Sequence, residues 1–230
     1  MKQLVSTGII LSRLDYGEAD RILTVLTPDY GKLSLLAKGV RRIKSKLAGG
    51  IELFSVSNIT FIKGRGSLDS LVSTRLVKHY GTIVKDLDRT MAGYTCIKQL
   101  NRITEDQAEA AYFELAEQIF DALDNPDISL ALIRFWFAAQ LVRLEGHTPN
   151  LQTDTAGSKL EPDACYQFDF DRVAFTLHGQ GKFTADHIKY LRLAFSGNQP
   201  KILNQVQGGA NLLTDTAPLV QTMLQTFSLI

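Results

Sequence analysis

Five cations stand within nine residues at Lys38-Gly-Val-Arg-Arg-Ile-Lys-Ser-Lys46, with no acid among them. The guanidinium groups of Arg41 and Arg42 suit paired hydrogen bonds to phosphate oxygens. The ammonium groups of Lys38, Lys44 and Lys46 act as point charges, so the natural partner is a phosphate chain. The bland alternative is a solvated loop, which most charge runs are. Val40 and Ile43 interrupt the run and are expected to tack it onto a core. Arg65, in the short connection Gly64-Arg-Gly66, could extend the positive track. Arg13, Arg21, Lys32, Lys63 and Arg75 lie on or beside strands, where solvent-facing cations are common. Single-strand binding also uses stacking aromatics. Tyr16 and Tyr30 sit in turns and are the candidates, whereas Phe54 and Phe61 alternate with polar neighbours and read as core.

Catalysis has little support. There is no Gly-rich phosphate loop, no His-x-Glu zinc motif and no nucleophile elbow, so the chain is expected not to be an enzyme. Asp86 and Asp88, and Asp169 and Asp171, are acids two apart at element ends, where solvated turn residues are the rule. Cys96 reads as a buried thiol in an apolar helix. Cys96 and Cys165 make neither a disulfide framework nor a metal quartet, which points to a reducing cytoplasm. The apolar run Thr7–Leu11 is too short for a signal peptide. The stretch Ile128–Val142 contains Arg134 and is too short to cross a bilayer, so no membrane partner is expected.

Charge divides the chain more sharply than composition does. Net charge is +1 over 230 residues, but residues 1–80 hold 13 Lys and Arg against 6 Asp and Glu, a balance of +7. The remainder is correspondingly acidic. Two modules are expected, the first suited to a polyanion. Five turn-punctuated strands are read at about 2–14, 21–27, 32–37, 52–63 and 67–78, with Gly8 as a possible bulge and Gly49-Gly50 closing the basic stretch. They fit a small closed barrel, an OB-fold ahead of an SH3-like one. From His79 the period becomes helical, over 79–103, 105–123 and 128–146. Ala111, Leu115, Ile119 and Ala122 form the apolar face of the second of these helices. Residues 146–163 read as loop, 166–170 and 172–177 as a hairpin, and 184–195 as a helix capped by Thr184. Residues 212–229 form a last helix, which Pro218 either opens or splits. The fold class is therefore α+β: a barrel domain at 1–79, then a mainly helical domain at 80–230 with an insertion at about 146–182.

The run LSRLDYGEADRILTVLTPDYGKLSLLAKGVRR resembles the start of the RecO recombination-mediator family. The matching elements are Tyr16, Glu18, Asp20-Arg21-Ile22-Leu23, Thr27, Gly31 and Ala37-Lys38-Gly39-Val40-Arg41. The likeness continues through SKLAGGIELFSVSNITFIKGRGSLDSLVSTRLV, and LEGHTPNL (Leu144–Leu151) looks like the family's helix end and turn, with His147 in an aromatic place. Many members then carry two Cys-x-x-Cys zinc pairs. Here the first pair falls on Thr153 and Ala156, ahead of a retained Gly157, and only Cys165 survives near the second. Four ligands are needed, and His147, Cys165 and His178 are too few and too scattered, so no metal and no cofactor are carried over.

The resemblance implies a non-enzymatic mediator of DNA repair and recombination. Such a protein binds single- and double-stranded DNA, anneals strands, and helps load RecA with RecR on strands covered by single-strand-binding protein. It also implies a contact between the helical domain and that binding protein's acidic, hydrophobic C-terminal tail. Such a tail needs an apolar groove beside a cation. Arg134, Arg143, Arg192 and Phe195 are the candidates, against core packing for the aromatics. The alternative function is an OB-fold adaptor for RNA or a protein.

Overall fold

A computed structural model describes residues 2–104 and 110–227, in two compact units, Met1–Asn125 and Pro126–Ile230. In the first unit, β1 (Gln3–Tyr16), β2 (Asp20–Thr27), β3 (Gly31–Ala37), β4 (Ser55–Ile62) and β5 (Asp69–His79) close a barrel in the order β1-β2-β3-β5-β4. Neighbours are antiparallel except β3 and β5. These two pair in parallel at Leu35–Asp69 and Leu36–Ser70, which is where the barrel closes. Closure in this order is the OB-fold arrangement.

Alternation fills the barrel. Leu33, Leu35 and Ala37 of β3 point inward, joined by Ile10, Leu23, Val25, Ile59, Phe61 and Leu71. Gly8 does not mark the bulge expected of it. The irregularity in β1 falls between Ile10 and Ser12. Gly8 instead admits Val25, whose Cγ1 would lie 2.6 Å from a Cβ at that position. The strand expected from Glu52 starts only at Ser55, because Phe54 turns the chain with φ 55°.

The barrel ends at His79, but the compact unit runs on through α1 (Leu87–Ile103) and α2 (Ala110–Asp124). Asp86 caps α1, its Oδ1 accepting from Arg89 N at 2.9 Å. Arg89 Nη1 donates to Leu123 O and Asn125 O, both at 2.9 Å, and so holds the C-terminal carbonyls of α2. Lys32 does the same for α1, donating to Asn101 O and Thr104 O. The expected helix from Glu105 lies partly outside the described residues. Its buried face holds Leu115, Ile119 and Ala122 together with Tyr112, Phe113 and Phe120, while Ala111 is exposed. The aromatics widen the stripe past the one position that faces water.

Glu117 of α2 has its pKa raised, first by burial and then by Asp121 and Glu114, with Lys78 opposing. The folded state thus holds this proton more tightly than the unfolded chain. Its stabilising contribution is present below the ordinary carboxylate range and is lost as pH rises through the raised value. Glu117→Gln is expected to be more resistant to urea than wild type at pH 7, and the two should converge below pH 4. A less stable variant at pH 7 would contradict the sign.

In the second unit, α3 (Leu130–Leu144) begins at Ser129, whose Oγ accepts from Leu132 N, and buries residues on nearly every side. β6 (Asn150–Asp154), β7 (Tyr166–Asp169) and β8 (Ala174–Leu177) form a sheet in the order β6-β8-β7. Then come α4 (Ala185–Phe195), α5 (Lys201–Asn204) and α6 (Gly209–Thr226). The hairpin and the Thr184 cap appear as expected, the cap as a full box with His187. β6 arises inside a segment read as loop. Pro218 neither opens nor splits α6. It lies inside a continuous helix whose Leu219, Val220, Met223 and Leu224 are buried, so packing of that face offsets one missing backbone donor.

Candidate nucleic-acid interface

The basic loop is fixed by its neighbours at one end of the barrel. Gly39 N donates to Asp20 Oδ1 at 2.7 Å, and Arg41 N to Ala19 O at 2.9 Å. These bonds hold the loop against the tip of the β1–β2 hairpin. Two consecutive turns follow, closed by Arg42 N to Gly39 O at 3.1 Å and Ser45 N to Arg42 O at 2.9 Å. The first turns Val40 into the barrel core. The second turns Ile43 into water, where it is fully exposed. Val40 therefore tacks the loop down as expected and Ile43 does not. Leu47 and Ile51 supply the second anchor, with Leu47 O accepting from Thr74 Oγ1 at 3.1 Å.

The five cations are not equivalent. Arg41 Nε lies 3.5 Å from Asp15 Oδ2, and its Nη1 reaches Gly17 O. Asp15 also accepts from Arg21 Nε at 2.7 Å. This hydrogen bond is the main reason that its pKa lies below the usual range, with the charges of Arg41 and Arg13 adding to it. Lys38, Arg42, Lys44 and Lys46 are exposed and form no ion pair among the described residues. Tyr16, 53% exposed, lies on the same hairpin tip that Arg41 grips.

Arg65 and Tyr30 are elsewhere. Tyr30 immediately precedes β3, at the end opposite the basic loop, and packs edge-on against Phe61, ring centres 5.3 Å apart. Arg65 is exposed in the β4–β5 connection, near the pairing of β4 with the start of β1. The seven residues of β3 therefore separate Tyr30 from Lys38–Lys46 and Tyr16, whereas the connection carrying Arg65 leads into β5, whose Asp69 pairs with Leu35 near the end of β3 that feeds the basic loop. Among the strand cations, Arg13 pairs with Glu52, Arg21 with Asp15 and Lys63 with Asp69, while Lys32 caps α1. These four hold the unit together.

The second unit does not assemble its four candidates at one place. Arg134 and Arg143 are nine residues apart on α3, which puts them about half a turn from each other around the axis. Arg134 is exposed. Arg143 Nε donates to Gln140 Oε1 at 2.9 Å, and its guanidinium lies beside Gly197. Arg192 donates from Nε and Nη2 to Leu151 O, at 2.8 and 2.5 Å. Phe195 is buried, 5% exposed. Of the four, Arg134 alone has both exposure and a cation not committed to a hydrogen bond among the described residues.

In the stretch from Thr153 to Cys165, polar hydrogen bonds shape the chain. Asp154 Oδ1 accepts from Ala156 N at 2.9 Å and Ser158 N at 2.8 Å, and Gly157 takes φ 84°. His147 stacks on Phe227 at 3.9 Å, while Cys165 O accepts from His178 N. Phe168, Phe170, Phe175 and Phe183 pack edge to face over the small sheet. The paired acids also have local duties: Asp169 Oδ1 accepts from Asp171 N and Arg172 N. No described helix is long and apolar enough to cross a membrane.

The family model described as "Recombination protein O N terminal" matches residues 1–80. A protein of Rhodopirellula baltica named DNA repair protein RecO is 35% identical over 177 residues, 76% of this chain and 63% of that protein. One from Dehalococcoides mccartyi strain 195, of the same name, is 34% identical over 146 residues, 63% of this chain and 57% of its own length. Another from Halalkalibacterium halodurans is 27% identical over 232 residues, 96% of this chain and 86% of that protein. The first two alignments thus span less than two thirds of the relatives' lengths.

Proposed function

The chain belongs to the RecO family, and from that premise we propose that it is a DNA-binding mediator of recombinational repair, acting in the cytoplasm without catalysis of its own. The observation that carries this reading is the turn-fixed loop on a closed barrel, with Lys38, Arg42, Lys44 and Lys46 exposed and, among the described residues, not ion-paired. Such cations hold a phosphate backbone and release its counterions. Neutralising two strands on one surface lowers their repulsion and favours annealing. RecR, RecA loading and the tail of single-strand-binding protein complete the reading on the partner side, with Arg134 as the cation available to that tail.

The test is fluorescence anisotropy of a labelled oligonucleotide across a salt series. Four phosphate contacts on a single strand give a slope of log K against log salt of about −3. An annealing assay in the same buffers should lose rate along with binding. A wild-type slope near zero would sink the proposal.

A further inference from the structure

Ile43 is the most exposed large apolar residue among those described, at 103% of its reference area; the next, Leu87, stands at 76%. It is the sixth residue of the basic run, between Arg42 and Lys44, where the turn closed by Ser45 N to Arg42 O fixes its direction. The fold gains no burial from it, since none of its area is covered. Local propensity does not call for it either. Central turn positions favour Gly, Asn, Asp, Ser or Pro, and a β-branched chain there works against the turn. A residue that breaks the local rule with no packing return marks a place where something other than folding has set the choice.

The setting indicates what that is. Val40, three residues earlier, shows that this loop has a route into the core when an apolar side chain needs one. Ile43 is held away from that route by the next turn. Around it stand cations suited to phosphates, so the surface combines charge at its rim with one apolar side chain at its apex. Single-stranded nucleic acid offers the complementary pattern: charged phosphates beside the apolar faces of unpaired bases. Aliphatic side chains act as wedges between stacked base steps where proteins kink a duplex, and the same chemistry suits the stacked bases of a single strand.

We propose that Ile43 packs against unpaired bases when the loop holds a single strand, as a wedge that unstacks one base step. The inference rests on the DNA-binding reading above, and it adds a base contact to a site otherwise made of phosphate contacts.

The experiment compares wild type with Ile43→Ser and Ile43→Leu on two labelled oligonucleotides of one length, one carrying bases and one with a central run of abasic sites. A 2-aminopurine in the first strand reports unstacking. Wild type is expected to prefer the base-bearing strand by about fivefold, the gain from covering part of an exposed aliphatic side chain, and to raise the 2-aminopurine signal on binding. Ile43→Ser should bind both strands alike, with the wild-type salt slope and melting temperature, and leave that signal low. Ile43→Leu should restore both the preference and the signal. If Ile43→Ser keeps the wild-type preference, or weakens both strands equally, the wedge is overturned while the phosphate-binding reading survives. If wild type shows no salt-dependent binding, the reading beneath it falls and the wedge falls with it.

Discussion

Replacing Arg42, Lys44 and Lys46 together by Ala should lower affinity for a single strand about a hundredfold at 0.1 M salt and flatten the salt slope by about 2. The size follows from counterion release: each lost contact removes about 0.7 from the slope, which is about fivefold in affinity at that salt. The structure makes this triple variant cleaner than one at Arg41. None of the three side chains is ion-paired among the described residues, and all are exposed, so their loss removes charge without removing a structural contact. Arg41 binds Asp15 and Gly17 O and sits where the loop grips the β1–β2 hairpin. Arg41→Ala should therefore mix a smaller binding loss with a looser loop. Anisotropy titrations at four salt concentrations separate the outcomes, and a triple variant with the wild-type slope would remove the loop from the interface.

The barrel was legible because its signals are local. Alternating β3 and the turn at Pro28–Gly31 are written in consecutive residues, and β3 emerges with Leu33, Leu35 and Ala37 inward. The basic loop was legible as a run of charge. Its internal division was not, because whether Arg41 is available depends on Asp15 and Gly17, more than twenty residues upstream. The orientation of Ile43 was hidden for the same kind of reason. Val40 and Ile43 look alike in sequence, and two backbone hydrogen bonds decide which of them meets the core. Tyr16 and Tyr30 also looked equivalent as turn aromatics, yet β3 carries them to opposite ends. β6 was missed because its parallel partner, β8, lies some twenty residues away and its own five residues are mostly polar. Arg134 and Arg143 share one helix in the sequence, but their nine-residue spacing sets them on opposite faces of it.

Truncation after residue 80, where the strand pattern ends, is expected to cost the barrel more than its length suggests, and Phe54 is the reason. Its ring is 1% exposed and meets Tyr94 of α1 at 5.4 Å and Phe120 of α2 at 5.6 Å, both edge-on. Gly93 of α1 is small enough to let it in, since a Cβ there would come within 2.5 Å of the ring. Phe54 O accepts from Tyr80 N at 3.0 Å, and the residue holds φ 55°. For a residue with a side chain that conformation costs on the order of 1 kcal/mol, so the ring's burial must over-determine it. Phe54→Ala should destabilise residues 1–125 by about 3–5 kcal/mol. Phe54→Gly should be no worse despite losing one more carbon, because it relieves the left-handed backbone. A chain cut at residue 80 uncovers the same ring by removing α1 and α2, and also leaves Lys32 without the carbonyls of Asn101 and Thr104. Urea denaturation should therefore rank residues 1–125 above both the Phe54→Ala form and residues 1–80, with the truncated chain prone to associate through the exposed face. Equal midpoints for 1–80 and 1–125 would mean that the barrel carries its own stability and that the helices merely rest on it.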